Sequence, residues 1–130
     1  MNQQDTQRKE ALNVLGNKLL ACNCKPMTGW FRDGFCHFDP RDRGKHTICC
    51  VMNINFLNYS KSQGNDLITP MSEYAFPGLK SGDHWCICLE RWKQALLDGL
   101  APEVVLESTN EVVLNSVPLE ILKKYQYNKE

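Results

Sequence analysis

The chain has 130 residues, 42% apolar and 23% charged, which fits one globular domain with a substantial core and excludes global disorder. Fifteen basic and fifteen acidic residues cancel, so no uncompensated cationic surface is available for nucleic acid or for an anionic membrane. No apolar run approaches the roughly 20 residues of a membrane span, and the polar start lacks the apolar stretch of a secretory leader.

Residues 1–10 read as a flexible polar tail and residues 11–130 as a single domain. Between Ala11 and Cys22 helix and strand both remain open, with a turn expected at Gly16-Asn17. Residues 25–46 are loop-rich, punctuated by Pro26, Gly29, Asp33-Gly34, Asp39-Pro40 and Gly44. Their aromatics, Trp30, Phe31, Phe35 and Phe38, are too many to leave in water and are expected to wrap the core. His46 to Met52 reads as a buried strand. Asn53 can cap a helix running to about Gln63 and ended by Gly64. Residues 64–84 hold two turn-rich stretches, and so long a loop in a compact domain is often functional.

Trp85 to Leu89 predicts a strand, followed by a helix whose Leu89, Trp92, Leu96 and Leu100 share a face. Ala101-Pro102 blocks its continuation. Val104-Val105-Leu106 is a strand candidate. Ser108 and Glu111 match a capping box for a short helix, and Pro118 opens the last one. Short strands, three or four helices and long Gly/Pro-rich loops make the expected class α+β.

The seven cysteines are Cys22, Cys24, Cys36, Cys49, Cys50, Cys86 and Cys88. An odd number cannot form a complete disulfide framework within one chain. With no leader the expected compartment is the cytoplasm, where thiols are kept reduced and serve as core packers, metal ligands or redox groups. An extended Trp85–Leu89 would place Cys86 and Cys88 on one face. Tetrahedral zinc needs four Cys, His or carboxylate ligands, which Cys86 and Cys88 could supply with Cys36, Cys49 or His46. The chain has no Cys-x-x-Cys knuckle, so the spacing is weak and plain core packing competes with it. His46 and Cys49 fall on opposite faces of a strand, and Cys36-His37 lies in a loop. Each histidine also reads as an ordinary partly buried side chain. Asp33, Asp66 and Asp83 sit beside turns. They either set those turns or line a polar pocket with Arg32, Asn65 and Arg91. Trp85 and Trp92 read as core anchors.

Many short strings occur here in a recognisable order: Asn13-Val14-Leu15-Gly16, Pro26-Met27-Thr28-Gly29, Arg32-Asp33-Gly34, His46-Thr47-Ile48-Cys49, Gly64-Asn65-Asp66-Leu67, Phe76-Pro77-Gly78-Leu79-Lys80, Gly82 to Cys88, and Arg91-Trp92. Over residues 13 to 125 the chain resembles a mainly bacterial family of unknown function, family 2237. The resemblance implies one compact domain and marks these loops, without implying an activity, substrate or cofactor. In that pattern the position of Phe35 is commonly cysteine and that of Asn110 commonly histidine, and Cys24 and Cys50 are extras. A family site built on either missing residue would be altered in this chain.

The preferred expectation is a small cytoplasmic protein with a thiol-rich pocket formed by residues 26–37, 46–49, 64–70 and 76–88, suited to a metal such as zinc. One alternative is an enzyme with Cys36, Cys49 or Cys86 as nucleophile, His37, His46 or His84 as base, and Asp33, Asp66 or Asp83 orienting it. The other is a non-catalytic binding module presenting Trp30, Phe31 and Tyr74. Neither nucleic acid nor membrane is an expected partner. Without a long heptad the expected state is a monomer or a weak homodimer.

Overall fold

The computed structural model describes residues 11–23 and 25–128, so the expected tail and Cys24 lie outside the described residues. The fold is α+β. Three short antiparallel strands, β1 (Ile48–Val51), β2 (His84–Ile87) and β3 (Glu103–Val104), form one sheet in the order β2-β1-β3. The α-helices are α1 (Ile54–Ser62), α2 (Leu89–Leu97) and α3 (Leu119–Lys124).

The central strand β1 is buried on both faces, and its alternation explains the molecule. In register, Ile48 faces Ile87, Cys49 faces Cys86, and Cys50 faces Trp85. Ile48, Cys50, Trp85 and Ile87 join the main apolar core with Phe56, Leu89, Trp92, Val104 and Leu122. Cys49 and Cys86 point the other way, into a second buried cluster with Cys22 and Cys36. One sheet face therefore carries hydrocarbon and the other carries sulfur.

Local chemistry fixes the helices. Asn53 caps α1 by accepting from the Phe56 amide at 2.7 Å, and Gly64 beyond the helix adopts φ 92°. Trp92, fully buried on α2, donates its indole N–H to the Pro102 carbonyl at 3.1 Å and meets Tyr125 edge-on.

Several expectations need correction. The strand expected over Trp85–Leu89 stops at Ile87, because Cys88 already takes the N-cap position of α2. The strand expected over Val104–Leu106 is only Glu103–Val104, and Leu106–Ser108 turns as a 3-10 helix. Ser108 caps nothing: its hydroxyl donates to the Ala21 carbonyl, and Asn110 caps the 3-10 helix Glu111–Asn115 instead. The aromatics of residues 30–38 do not enter the core. Trp30 and Phe38 are exposed, while Phe31 and Phe35 gather around the buried His37 ring.

Candidate functional site

Four segments converge beneath the sheet. Cys22 is bonded to Cys49, and Cys36 to Cys86. These four cysteines stand as two disulfides, where reduced thiols were expected. The two bridges touch. The sulfurs of Cys22, Cys36 and Cys49 all lie within 4.8 Å of one another, and the Cys86 sulfur is bonded to that of Cys36. Both strand cysteines are pinned through their amides. Cys49 N–H donates to Thr109 Oγ1 at 3.1 Å and Cys86 N–H to Thr28 Oγ1 at 2.9 Å, both threonines being fully buried. Asn110 Nδ2 donates to the Cys36 carbonyl, and Cys22 N–H to the Gly34 carbonyl at 2.7 Å.

Cys50 and Cys88 are free. Cys50 is enclosed in hydrocarbon, and burial pushes its thiol well above the usual value. Cys88 is partly exposed at the N-cap of α2. It borders a cavity of about 210 Å³ with His46, Asn65 and Arg91. His46, Leu67 and Trp85 also line an adjoining cleft of about 390 Å³, walled by Trp30, Arg32 and Tyr74, with Cys86 at its floor. The second volume lies within the range of small-molecule sites.

The turn before β1 brings His46 and Cys88 to the same glycine, Gly44. Asp42, buried, holds His46 twice: Oδ1 lies 2.8 Å from Nδ1 of the ring and Oδ2 accepts the His46 amide at 2.8 Å. The α2 end is joined to the same turn, since Leu89 N–H donates to the carbonyls of Gly44 and Lys45. Gly44 is the one glycine of the eight whose φ is not positive, so the backbone does not demand it. Space does. A Cβ placed there would meet His46 Cε1 at 2.9 Å and Cys88 Sγ at 3.4 Å. The absent side chain leaves room beside that position for both the ring and the sulfur.

The metal set expected as Cys36, Cys49, Cys86, Cys88 and His46 is thus divided between two places. Cys36, Cys49 and Cys86 join Cys22, whereas Cys88 and His46 both border Gly44. Of the expected pocket residues, Arg32, Asn65 and Arg91 line the cleft and its annex. The loop carboxylates set turns: Asp33 accepts from the Phe35 amide, Asp66 from Ile68, Thr69 and the Thr69 hydroxyl, and Asp83 from Lys80. Those bonds hold the Asp66 carboxyl below its ordinary value, the Thr69 hydroxyl contributing most. Arg32 stands 5.5 Å from the Trp85 ring centroid.

The profile of a family described as an uncharacterised protein conserved in bacteria, DUF2237, matches residues 12–126. The chain belongs to DUF2237. No curated protein matches it. The two positions at which this DUF2237 chain departs from the resemblance lie together, away from the cleft: Phe35 stacks on His37, and Asn110 bonds the carbonyl of Cys36. Neither borders the Cys88–His46 gap. Sequence reasoning missed Asp42, although a carboxylate four residues before His46 was a usable signal. It also passed over Gly44 as mere punctuation. No helix among the described residues is long and apolar enough to cross a membrane.

Proposed function

We propose that this DUF2237 protein is a cysteine-dependent enzyme of the acyl-transfer class, with Cys88 as nucleophile, His46 as general base and Asp42 orienting the base. The observation that supports it most is that a partly exposed thiol and an imidazole clamped by a buried carboxylate both border Gly44 and line one cavity of about 210 Å³. Asp42 at Nδ1 leaves Nε2 to take a proton. In the proposed step the Cys88 proton passes to Nε2 and sulfur bonds to the acyl carbon. The bond to the leaving group then breaks, and the imidazolium returns the proton to that group. Cys88 makes no side-chain cap bond at the α2 N-terminus, and with Leu89 N–H already bonded to the 44–45 turn the next amides, of Glu90 and Arg91, suit developing negative charge there. Arg32 and Arg91 suit a substrate with an anionic end, and Trp30, Tyr74 and Trp85 suit an apolar acyl part. Balanced charge and the absence of heptads favour a monomer or weak homodimer in the cytoplasm, with neither nucleic acid nor membrane as partner.

Iodoacetamide labelling mapped by mass tests the assignment. Cys88 should be modified in the folded protein, and His46→Ala should slow that modification roughly tenfold or more. Equal rates in both proteins would refute the base role.

A second reading, a thiol-rich metal centre, is favoured by a separate observation: Cys22, Cys36, Cys49 and Cys86 form one buried cluster in which the first three sulfurs lie within 4.8 Å of one another. A reducing cytoplasm would free these thiols for a metal. Metal content of protein purified under reducing conditions without chelator tests it, with bound zinc expected and metal-free protein counting against it.

A further inference from the structure

We propose that zinc and the two disulfides are alternative occupants of the Cys22–Cys36–Cys49–Cys86 centre, so that redox conditions decide whether the chain carries a metal. The inference rests on the metal reading of the cluster. Two cross-links alone would not need to meet, since Cys22–Cys49 and Cys36–Cys86 could tie their loops at separate points. A tetrathiolate requires one point. With Zn–S near 2.3 Å, tetrahedral sulfurs stand about 3.8 Å apart. Three of the four already lie within 4.8 Å of one another and the fourth, Cys86, belongs to the same buried cluster, so with both S–S bonds opened the four sulfurs need only rearrange within it.

The scaffold is arranged to survive the exchange. Cys49 and Cys86 face each other in register on β1 and β2, and their amides are held by Thr109 and Thr28 whether or not the sulfurs are bridged. Cys22 and Cys36 lie on loops outside the sheet. Among the described residues the only partly buried apolar neighbour packed on the cluster is Val105, and the donors are all sulfur, which selects thiophilic zinc over hard oxygen-seeking cations. Cys22, 6% exposed, is the most accessible of the four and the natural point of entry.

The exchange balances. Two equivalents of a dithiol reductant deliver four electrons and four protons to the two disulfides and are themselves oxidised to two disulfides. The four thiols release four protons on binding one zinc ion. In the reverse direction two molecules of hydrogen peroxide accept four electrons and, with four protons, become four waters. The four thiolates become two disulfides and zinc leaves.

The test uses the full chain in two states, oxidised and dithiol-reduced, each desalted anaerobically and given zinc chloride. The reduced chain should bind about one equivalent, protecting Cys22, Cys36, Cys49 and Cys86 from alkylation while Cys88 still labels; the oxidised chain should bind less than a tenth of that. Cys88→Ser should retain the full equivalent. Peroxide should then release the zinc, with both bridges restored on mass mapping. A reduced chain that binds no zinc, or unfolds and is not refolded by it, overturns the metal reading itself. Zinc held equally by the oxidised chain, or kept under peroxide, overturns the alternation and leaves the metal reading standing.

Discussion

A single hydrogen atom in place of a methyl group decides the geometry around Cys88. Gly44→Ala would push a Cβ into His46 Cε1, and since His46 is partly exposed the ring can swing away. Because Gly44 has no positive φ, the fold tolerates alanine. We predict an unchanged melting temperature within a few degrees and a several-fold slower alkylation of Cys88. A large loss of stability with reactivity intact would contradict the role assigned to Gly44. Cys50 makes the opposite prediction. Its buried thiol is kept protonated by desolvation, so folding opposes ionisation. The folded value is raised, so the stability tied to this thiol is whole below the ordinary thiol value of 9.0 and declines as pH rises past it. Urea unfolding of Cys50→Ala should show a weaker alkaline decline than the parent, on top of a general cavity loss. An identical pH profile would count against the assignment.

At the scale of elements, the chain's punctuation was legible and its longer-range pairing was not. Asn53, Gly64 and Pro118 act locally, and each does in the structure what its chemistry dictates. Asn53→Ala should therefore cost about 1 kcal/mol, read as a lower urea midpoint at constant m-value. The end of β2 was misread because Trp85 to Leu89 is uniformly apolar, and only the tertiary bond from Leu89 N–H to the 42–45 turn shows where the helix begins. That two-residue difference matters, because it separates Cys86, under the sheet, from Cys88, in the annex of the cleft. The cysteine partners were equally hidden. Cys22 and Cys49 lie 27 residues apart and Cys36 and Cys86 lie 50 apart, and no local spacing rule connects them. The aromatics of residues 30–38 were assigned inward on hydrophobicity alone. Here glycines and positive-φ positions, including Arg32 at φ 55°, turn the loop so that its rings line a cleft and a histidine rather than the core.

Across the whole molecule, the sheet divides two kinds of stabilisation. Its hydrocarbon face is a conventional core, whereas its sulfur face holds irregular loops that have few apolar contacts of their own. Loop-closure entropy assigns roughly 3.5 and 4 kcal/mol to bridges spanning 27 and 50 residues, and less than their sum because the two loops interleave. Thiol reduction without metal should lower the melting temperature by about 10 °C or more, and zinc should recover much of it. Unaltered melting on reduction would mean that the centre carries no structural weight. The central claim, however, concerns the other sulfur. The most direct measurement is intact-mass and peptide mapping after brief exposure of the protein to an activated aryl thioester. The account predicts one acyl group, placed on Cys88, absent in Cys88→Ala and formed at least tenfold more slowly in His46→Ala and Asp42→Asn. Acylation scattered over lysines, or on Cys88 at a rate indifferent to His46, would contradict it.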